Sequence, residues 1–278
     1  MKKNYLYNKT VIITGASGGI GFAIAKILIE KYDCKIIGIA RNEQKMLDSI
    51  QTLGEKKTNF SYYLFDVSKK ESWQDFYQKL HDNNIKIDIL INNAGLMLPF
   101  KKFELISDDE VEEIVQTNFV ANVYSVKTLL PLIKQSSSPA IINISSSAGL
   151  CAIVGQSMYC ATKHAVHGFT QSLIQEYKGK IYIGGIYPGF VNTDILNRQP
   201  LDKKSKKLVN RFMMPLDKAS KKIVKAISKK KKKYVLGFDG KFIGCFGRIF
   251  PKLTTSIITK VLKASKLEMF ENTFDYKK

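Results

Sequence analysis

The chain has 278 residues, 45% of them hydrophobic, with a formal net charge of +20. That length and apolar content support one sizeable core rather than a disordered or small disulfide-held chain. No uncharged apolar run approaches the roughly 18 residues of a membrane span, and Val11-Ile12-Ile13 is too short for a signal-peptide core.

The charge is unevenly placed. Residues 200–278 hold 22 Lys/Arg against 6 Asp/Glu, whereas residues 1–199 hold 22 against 18. The four cysteines (Cys34, Cys151, Cys160, Cys245) lack metal-ligand spacing, so no metal site is expected and reduced thiols in a cytoplasmic protein are.

Lys9–Ile13 reads as a strand, followed by Thr14-Gly15-Ala16-Ser17-Gly18-Gly19-Ile20-Gly21 and a helical pattern through Tyr32. Strand, glycine-rich turn and helix form a phosphate-binding context, in which glycine lets the backbone approach a pyrophosphate and the helix N-terminus favours its charge. The alternative is a tight turn between packed elements. The next strand, Lys35–Ala40, ends at Arg41. NAD-selective dinucleotide folds place a carboxylate at this strand end; here a guanidinium stands there instead, which predicts NADP(H) over NAD(H), the alternative being that Arg41 is merely solvated.

Residues 43–53 read as a polar helix. Phe60–Phe65 reads as a strand ending at Asp66-Val67, where Asp66 either accepts from an adenine amino group or caps the helix starting near Ser68. A helix over 71–83 precedes the strand Ile87–Ile91, which runs into Asn92-Asn93-Ala94-Gly95, residues small enough for close approach to a cofactor. One long helix is expected over 108–134. It contains Asn118 among Phe119, Val120 and Val123, and a buried amide needs partners, which makes Asn118 a polar site member.

The apolar run Ala140–Ile144 reads as a buried strand with Ser146 just past its end. Tyr159 and Lys163 are four apart, on one face of a helix that continues through Glu176. A Lys ammonium beside a phenol favours the phenolate, so Lys163 is expected to lower the Tyr159 pKa from about 10 toward neutrality. Tyr159 then serves as general acid or base, with Ser146 hydrogen-bonding the substrate oxygen. The strand at 181–186 ends at Pro188-Gly189-Phe190-Val191-Asn192-Thr193. Alternating strands and helices predict an α/β fold with a doubly wound parallel sheet, a Rossmann fold.

Residues 200–278 are expected to form a substrate lid and a basic extension of the same domain, leaving 1–199 as the dinucleotide-binding and catalytic core. The stretch 194–214 suits a lid. Pro215-Leu216-Asp217 begins a helix, Lys229–Lys233 follows, and Tyr234–Gly237 is strand-like. Residues 241–266 form a basic amphipathic segment that Pro251 should break into two helices. Its apolar face has three readings: packing on the protein's own pocket, an oligomer interface, or peripheral contact with an anionic membrane, with the five-lysine run as anchor. No nucleic-acid recognition motif accompanies the charge, so nucleic-acid binding is not expected.

Together, the T-G-x-x-x-G-x-G loop at 14–21, Asp66, Asn92–Gly95, Asn118, Ser146, Tyr159-x-x-x-Lys163 and Pro188-Gly189 with Thr193 resemble the short-chain dehydrogenase/reductase family over about residues 9–199. The resemblance implies that Tyr159 is the general acid/base, that Ser146 orients the substrate, and that Lys163 holds the nicotinamide ribose. It implies that Asn118 supports a water connecting Lys163 to solvent. It implies cofactor contacts from the loop (Gly15, Ser17, Gly19, Ile20, Gly21), from Asp66 and Val67, from Asn93, Ala94 and Gly95, and from Pro188, Gly189, Val191 and Thr193. The expected function is an NADP-dependent oxidoreductase for a small-molecule carbonyl or secondary alcohol, lipophilic (sterol-like or acyl), working as a homo-oligomer (dimer or tetramer). The alternatives are a 3-oxoacyl-carrier-protein reductase and a non-catalytic cofactor-binding regulatory protein. The expected location is the cytoplasm, or the periphery of the inner membrane surface.

Overall fold

Seven short runs, five of them built around Ile, pair as parallel strands in the computed structural model, which describes residues 4–193, 195, 199 and 213–274. The strands are β1 (Thr10–Thr14), β2 (Lys35–Ala40), β3 (Phe60–Leu64), β4 (Ile89–Asn92), β5 (Ala140–Ile144), β6 (Tyr182–Pro188) and β7 (Lys233–Leu236). Their order is β3-β2-β1-β4-β5-β6-β7. The central strands are apolar on both faces because helices cover both. On one face α1 (Gly19–Tyr32) and α7 (Leu216–Ser228) bury Ile24, Leu28, Ile223 and Ile227 against the sheet. On the other, α3 (Lys70–Asp82), α5 (Ala121–Ile133) and α6 (Ser157–Glu176) contribute Trp73, Phe76, Leu129 and Leu173. The remaining cover includes α2 (Glu43–Gln51), capped by the Asn42 side chain, and α4 (Asp108–Val115), which opens on a Ser107–Glu110 capping box.

The chain order reverses between β1 and β4, and the carboxyl ends of the strands there form the crevice in which such sheets bind ligands. Two asparagines face each other across β4 and β5. Asn92 Nδ2 donates to Asn143 Oδ1 at 3.0 Å, Ser125 Oγ to Asn92 Oδ1 at 2.7 Å, and Asn143 Nδ2 to Thr170 Oγ1 at 2.9 Å. This buried, mutually satisfied chain ties the two central strands to α5 and α6 just below the crevice.

The predicted single helix over 108–134 is interrupted. Gln116–Val120 form a wider, π-type turn between α4 and α5, with Asn118 fully buried in it. Such turns insert an extra residue and re-aim side chains, and they recur at functional sites. The sheet also extends past the expected boundary at 199/200. β7 pairs in register with β6, and α7 packs on α1, so both belong to the same sheet-and-helix core as the earlier strands. Each needs a non-local partner to bury its apolar side, which a composition shift cannot reveal.

Pro251 begins α9 (Pro251–Ser265) immediately after α8 (Phe238–Ile249), giving the expected pair of helices. Lys229–Lys232 precede β7 whereas α8 follows it, so the lysine run and the helical pair lie at opposite ends of that strand. Lys230 Nζ sits 4.5 Å over the Tyr5 ring, and Tyr5 in turn donates to Ile227 O. Among the described residues, no helix is long and apolar enough to cross a membrane.

Candidate functional site

A cleft of about 430 Å³ opens at the carboxyl edge of the sheet, walled by the turns after β1, β4, β5 and β6. At its floor Gly15 has φ +66°, and a Cβ there would meet Ala94 Cα at 3.0 Å, so the position demands glycine. Thr14 Oγ1 accepts from both Asn93 N and Ala94 N at 2.9 Å, and Asn93 Nδ2 donates back to Thr14 O at 3.0 Å. These bonds lock the glycine loop against the strand-end tripeptide. Gly21 lies beneath the loop, where any Cβ would strike Gly15 O and the Asn93 amide. Gly19, with φ +53°, faces Thr193 across the opening. No side chain caps α1 and no acid sits in its first turn, so its amide groups meet the cleft uncompensated.

Of the residues singled out from sequence, Gly15, Ser17, Gly19, Ile20 and Arg41 line one half of this cleft. Asn93, Ala94, Gly95, Ser146, Tyr159, Lys163, Pro188, Gly189, Val191 and Thr193 line the other. Gly21, Asp66, Val67 and Asn118 do not reach its wall. Val67 is buried with Trp73, whose Nε1 donates to Val67 O at 2.9 Å. Asp66 Oδ1 accepts from Ser68 N at 2.9 Å and Oδ2 lies 3.8 Å from Arg41 Nη1. It closes a turn rather than capping α3, which starts at Lys70. Desolvation works against the Asp66 charge, but the Ser68 hydrogen bonds with Arg41 and Lys69 outweigh it and hold the carboxyl below its usual range. Lys45, one turn into α2, joins Arg41 on the cleft wall. In sequence a lysine on a polar helix reads as an ordinary solvated residue, so nothing there singled it out.

The reactive end is assembled by α6 and the turn after β5. Tyr159 is hydrogen-bonded to Ser146, and Lys163 Nζ lies 5.6 Å from the centre of the Tyr159 ring. Ser146 Oγ also accepts from Ala148 N at 3.1 Å, and Ser145 Oγ donates to Lys163 O at 2.9 Å, pinning α6 to the strand end. Lys163 Nζ donates to Ile144 O at 3.4 Å. A Cβ at Gly95 would approach Asn118 Oδ1 to 3.1 Å and Lys163 Nζ to 3.3 Å, so the absent side chain is what lets the amide and the ammonium converge.

Lowering of the Tyr159 pKa by Lys163, expected from their spacing, is not what this arrangement produces. Burial pushes Tyr159 up to about 12, with the Ser146 hydrogen bond pulling the other way, and burial pushes Lys163 down to about 8. Each group is removed from water, and the desolvation cost of its own charged form exceeds what the neighbour returns. Tyr159 is therefore a protonated phenol at neutral pH.

Asn118 braces this end. Its Oδ1 accepts from Leu96 N at 2.8 Å, while Nδ2 donates to Leu96 O at 2.9 Å and to Thr162 Oγ1 at 3.2 Å. Asn118→Ala leaves the Leu96 peptide unpaired in the interior and should destabilise the protein by about 1–3 kcal/mol, read by urea denaturation. An unchanged midpoint would show that the peptide finds other partners.

A second, smaller cavity of about 60 Å³ adjoins Ser146 and Tyr159, and its wall includes Met97, Phe100, Ile153, Phe190 and Met213. The C-terminal segment closes this side, with Leu267, Met269, Phe270 and Phe274 buried in the same apolar cluster as Tyr159. Gln156 is buried at the cavity, with Nε2 donating to Leu98 O at 2.8 Å and Oε1 unpartnered among the described residues. Most of the expected lid at 194–214 lies outside the described residues. Within it, Gln199 bridges Phe100 N and Leu98 O, and Met214 bridges to Val191.

The family model described as short chain dehydrogenase matches residues 9–204. Over 195 residues the chain is 37% identical to a 3-oxoacyl-[acyl-carrier-protein] reductase of Chlamydia trachomatis, covering 68% of this chain and 77% of that protein. It is 29% identical over 199 residues to a 3beta-hydroxysteroid dehydrogenase of Mediterraneibacter gnavus, covering 71% of each. An alcohol dehydrogenase from Thermococcus sibiricus, solved with 5-hydroxy-NADP, superposes with a TM-score of 0.70 at 25% identity, over 81% of this chain and 93% of that one. The chain belongs to the short-chain dehydrogenase/reductase family. It is an NAD(P)-dependent oxidoreductase acting on CH–OH and C=O groups.

Proposed function

We propose that the protein is an NADP(H)-dependent ketoreductase for a lipophilic, acyl-type carbonyl compound. The observation that carries this reading is the meeting of Ser146, Tyr159 and Lys163 with the glycine cradle in one cleft. Carbonyl reduction starts from a phenol, because negative charge building on the substrate oxygen requires a proton donor. Tyr159 supplies that proton, and Ser146 donates a second hydrogen bond to the same oxygen. Lys163 places positive charge behind the phenol, and Asn118 holds the Leu96 segment that packs beside it. The bound nicotinamide supplies the hydride.

The glycine cradle at Gly15 and Gly19 and the uncapped N-terminus of α1 fit a pyrophosphate, and Asn93, Ala94 and Gly95 fit the adjoining nucleoside. Arg41 and Lys45 on the wall beyond β2 fit a 2′-phosphate, and the strand end offers no carboxylate to repel it. Arg41→Ala removes a charge-assisted contact and should weaken NADPH binding on the order of 10- to 100-fold while leaving NADH nearly unaffected. Kd values for both nucleotides by fluorescence titration check this. Equal loss for the two would overturn the 2′-phosphate assignment.

The apolar wall of the inner cavity supports a lipophilic substrate, and relatives that are 3-oxoacyl-carrier-protein reductases support a 3-oxoacyl chain in particular. The test is NADPH-dependent turnover of acetoacetyl thioesters on coenzyme A and on carrier protein, beside a sterol ketone and a short water-soluble ketone. A clear preference for the carrier-bound thioester selects the carrier-protein reading. Preference for the small hydrophilic ketone counts against both. The non-catalytic reading is disfavoured by the intact Ser146, Tyr159 and Lys163.

A further inference from the structure

The α8–α9 pair has two unlike sides. Its inner side is committed to the site. A Cβ at Gly244 would meet Leu150 Cδ1 at 3.0 Å and one at Gly247 would meet Cys151 Cβ at 2.6 Å, so α8 lies directly on the turn that follows Ser146. From α9, Ile258 and Leu262 pack on the apolar cluster containing Tyr159 and Met97. The outer side carries Phe246, Ile249, Phe250, Leu253, Ile257 and Val261, each between 41% and 63% exposed. These are most of the large exposed apolar side chains among the described residues, and they run across the Phe250–Pro251 joint from one helix to the other.

Charge defines what this face can meet. No carboxylate occurs between residues 240 and 267, whereas Lys241, Arg248, Lys252, Lys260, Lys263 and Lys266 all do. At 3.6 residues per turn, the exposed apolar positions of α9 lie between its buried row (Thr254, Ile258, Leu262) and its basic row (Lys252, Lys260, Lys263). A plane laid against Leu253, Ile257 and Val261 therefore also meets the lysines. Pairing this face with a second copy would press like charges together during desolvation, which disfavours self-association. Among the described residues of α9, the exposed polar side chain beside this stripe other than lysine is the small Ser256, which offers little to register a folded protein partner. An apolar stripe bordered by lysine is the composition of a helix lying in a lipid–water interface.

We infer that the outer face of α8–α9 docks the protein on the surface of an anionic lipid bilayer, with the inner face of the same helices walling the substrate side of the cleft. The lysine run that leads into β7 (Lys229–Lys233) lies at the other end of that strand and is not the anchor. Vesicle binding is read without turnover, so it stands or fails separately from the proposed reaction.

The experiment is co-sedimentation of the full chain with vesicles of phosphatidylglycerol and phosphatidylcholine in equal parts, against phosphatidylcholine alone, over a salt series. Binding to the anionic vesicles is expected at low salt and should weaken as salt screens the lysines, each of which raises partitioning about fivefold near such a surface. Ile249→Asp with Leu253→Asp should lower partitioning by at least about tenfold. Both positions are exposed, so the thermal midpoint and turnover of a water-soluble ketone should stay unchanged. No sedimentation with anionic vesicles overturns the inference, as does equal binding by the double variant. A dimer in solution that the double variant dissociates would assign the face to a second copy and overturn it. Binding to acidic carrier protein with none to vesicles would overturn it equally.

Discussion

Tyr159→Phe should lower kcat about 100- to 10,000-fold, the range that a positioned proton donor contributes. The ring is buried and the substitution removes one oxygen, so packing around Met97, Ile153 and Cys160 is retained. Ser146 keeps its hydrogen bond from Ala148 N, and the turn after β5 therefore has no reason to move. The glycine cradle and Arg41 lie on the other half of the cleft, so NADPH binding should be little changed. Steady-state turnover and a nucleotide titration on the same preparation separate the two effects. Near-native turnover by the variant would remove Tyr159 from the chemistry.

Lys163→Met should abolish most turnover and at the same time stabilise the nucleotide-free protein. Lys163 is fully enclosed and makes no ion pair among the described residues; burial depresses its pKa from 10.5 to about 8. The unfolded chain thus binds the proton more tightly than the folded one does. Below pH 8 both states are charged and the fold bears the full penalty, about 3 kcal/mol from a shift of this size. Between pH 8 and about 10 the folded state releases its proton first, and this contribution to stability rises with pH. The buried tyrosines, whose pKa values are raised, act in the opposite sense only above pH 10. Methionine fills similar volume without charge, so a gain of about 1–3 kcal/mol is expected at pH 7, shrinking toward pH 9.5. Thermal melts of both proteins across that range read it directly. A less stable variant at pH 7 would show that Lys163 is compensated in the fold.

This pairing of a destabilising residue with the cleft explains why the same spacing placed the two residues together and yet gave the wrong direction of titration. Tyr159 and Lys163 share a helix face by period alone, and that was readable without coordinates. The direction of their pKa shifts depends on how much water each loses, a property of the whole shell that Leu96, Met97, Ile153 and the C-terminal segment build around them. The same distinction separates Asp66 and Val67 from the cleft. Their place at a strand end was legible, but Val67 turns under Trp73 and Asp66 closes its own turn toward Arg41.

Local pattern determined the alternating strands and helices, the glycine cradle after β1, the Tyr159–Lys163 face and the break at Pro251, because each rests on neighbours within a few residues. Tertiary structure alone decided the rest. The π-type turn carries Asn118 to the Leu96 peptide, and Gly95 makes room for both Asn118 and Lys163. β7 joins the sheet, and α8–α9 buries one side while leaving the other exposed. Each of these depends on contacts between residues far apart in the chain, whose energies come from burial and pairing that no single segment carries in its own composition.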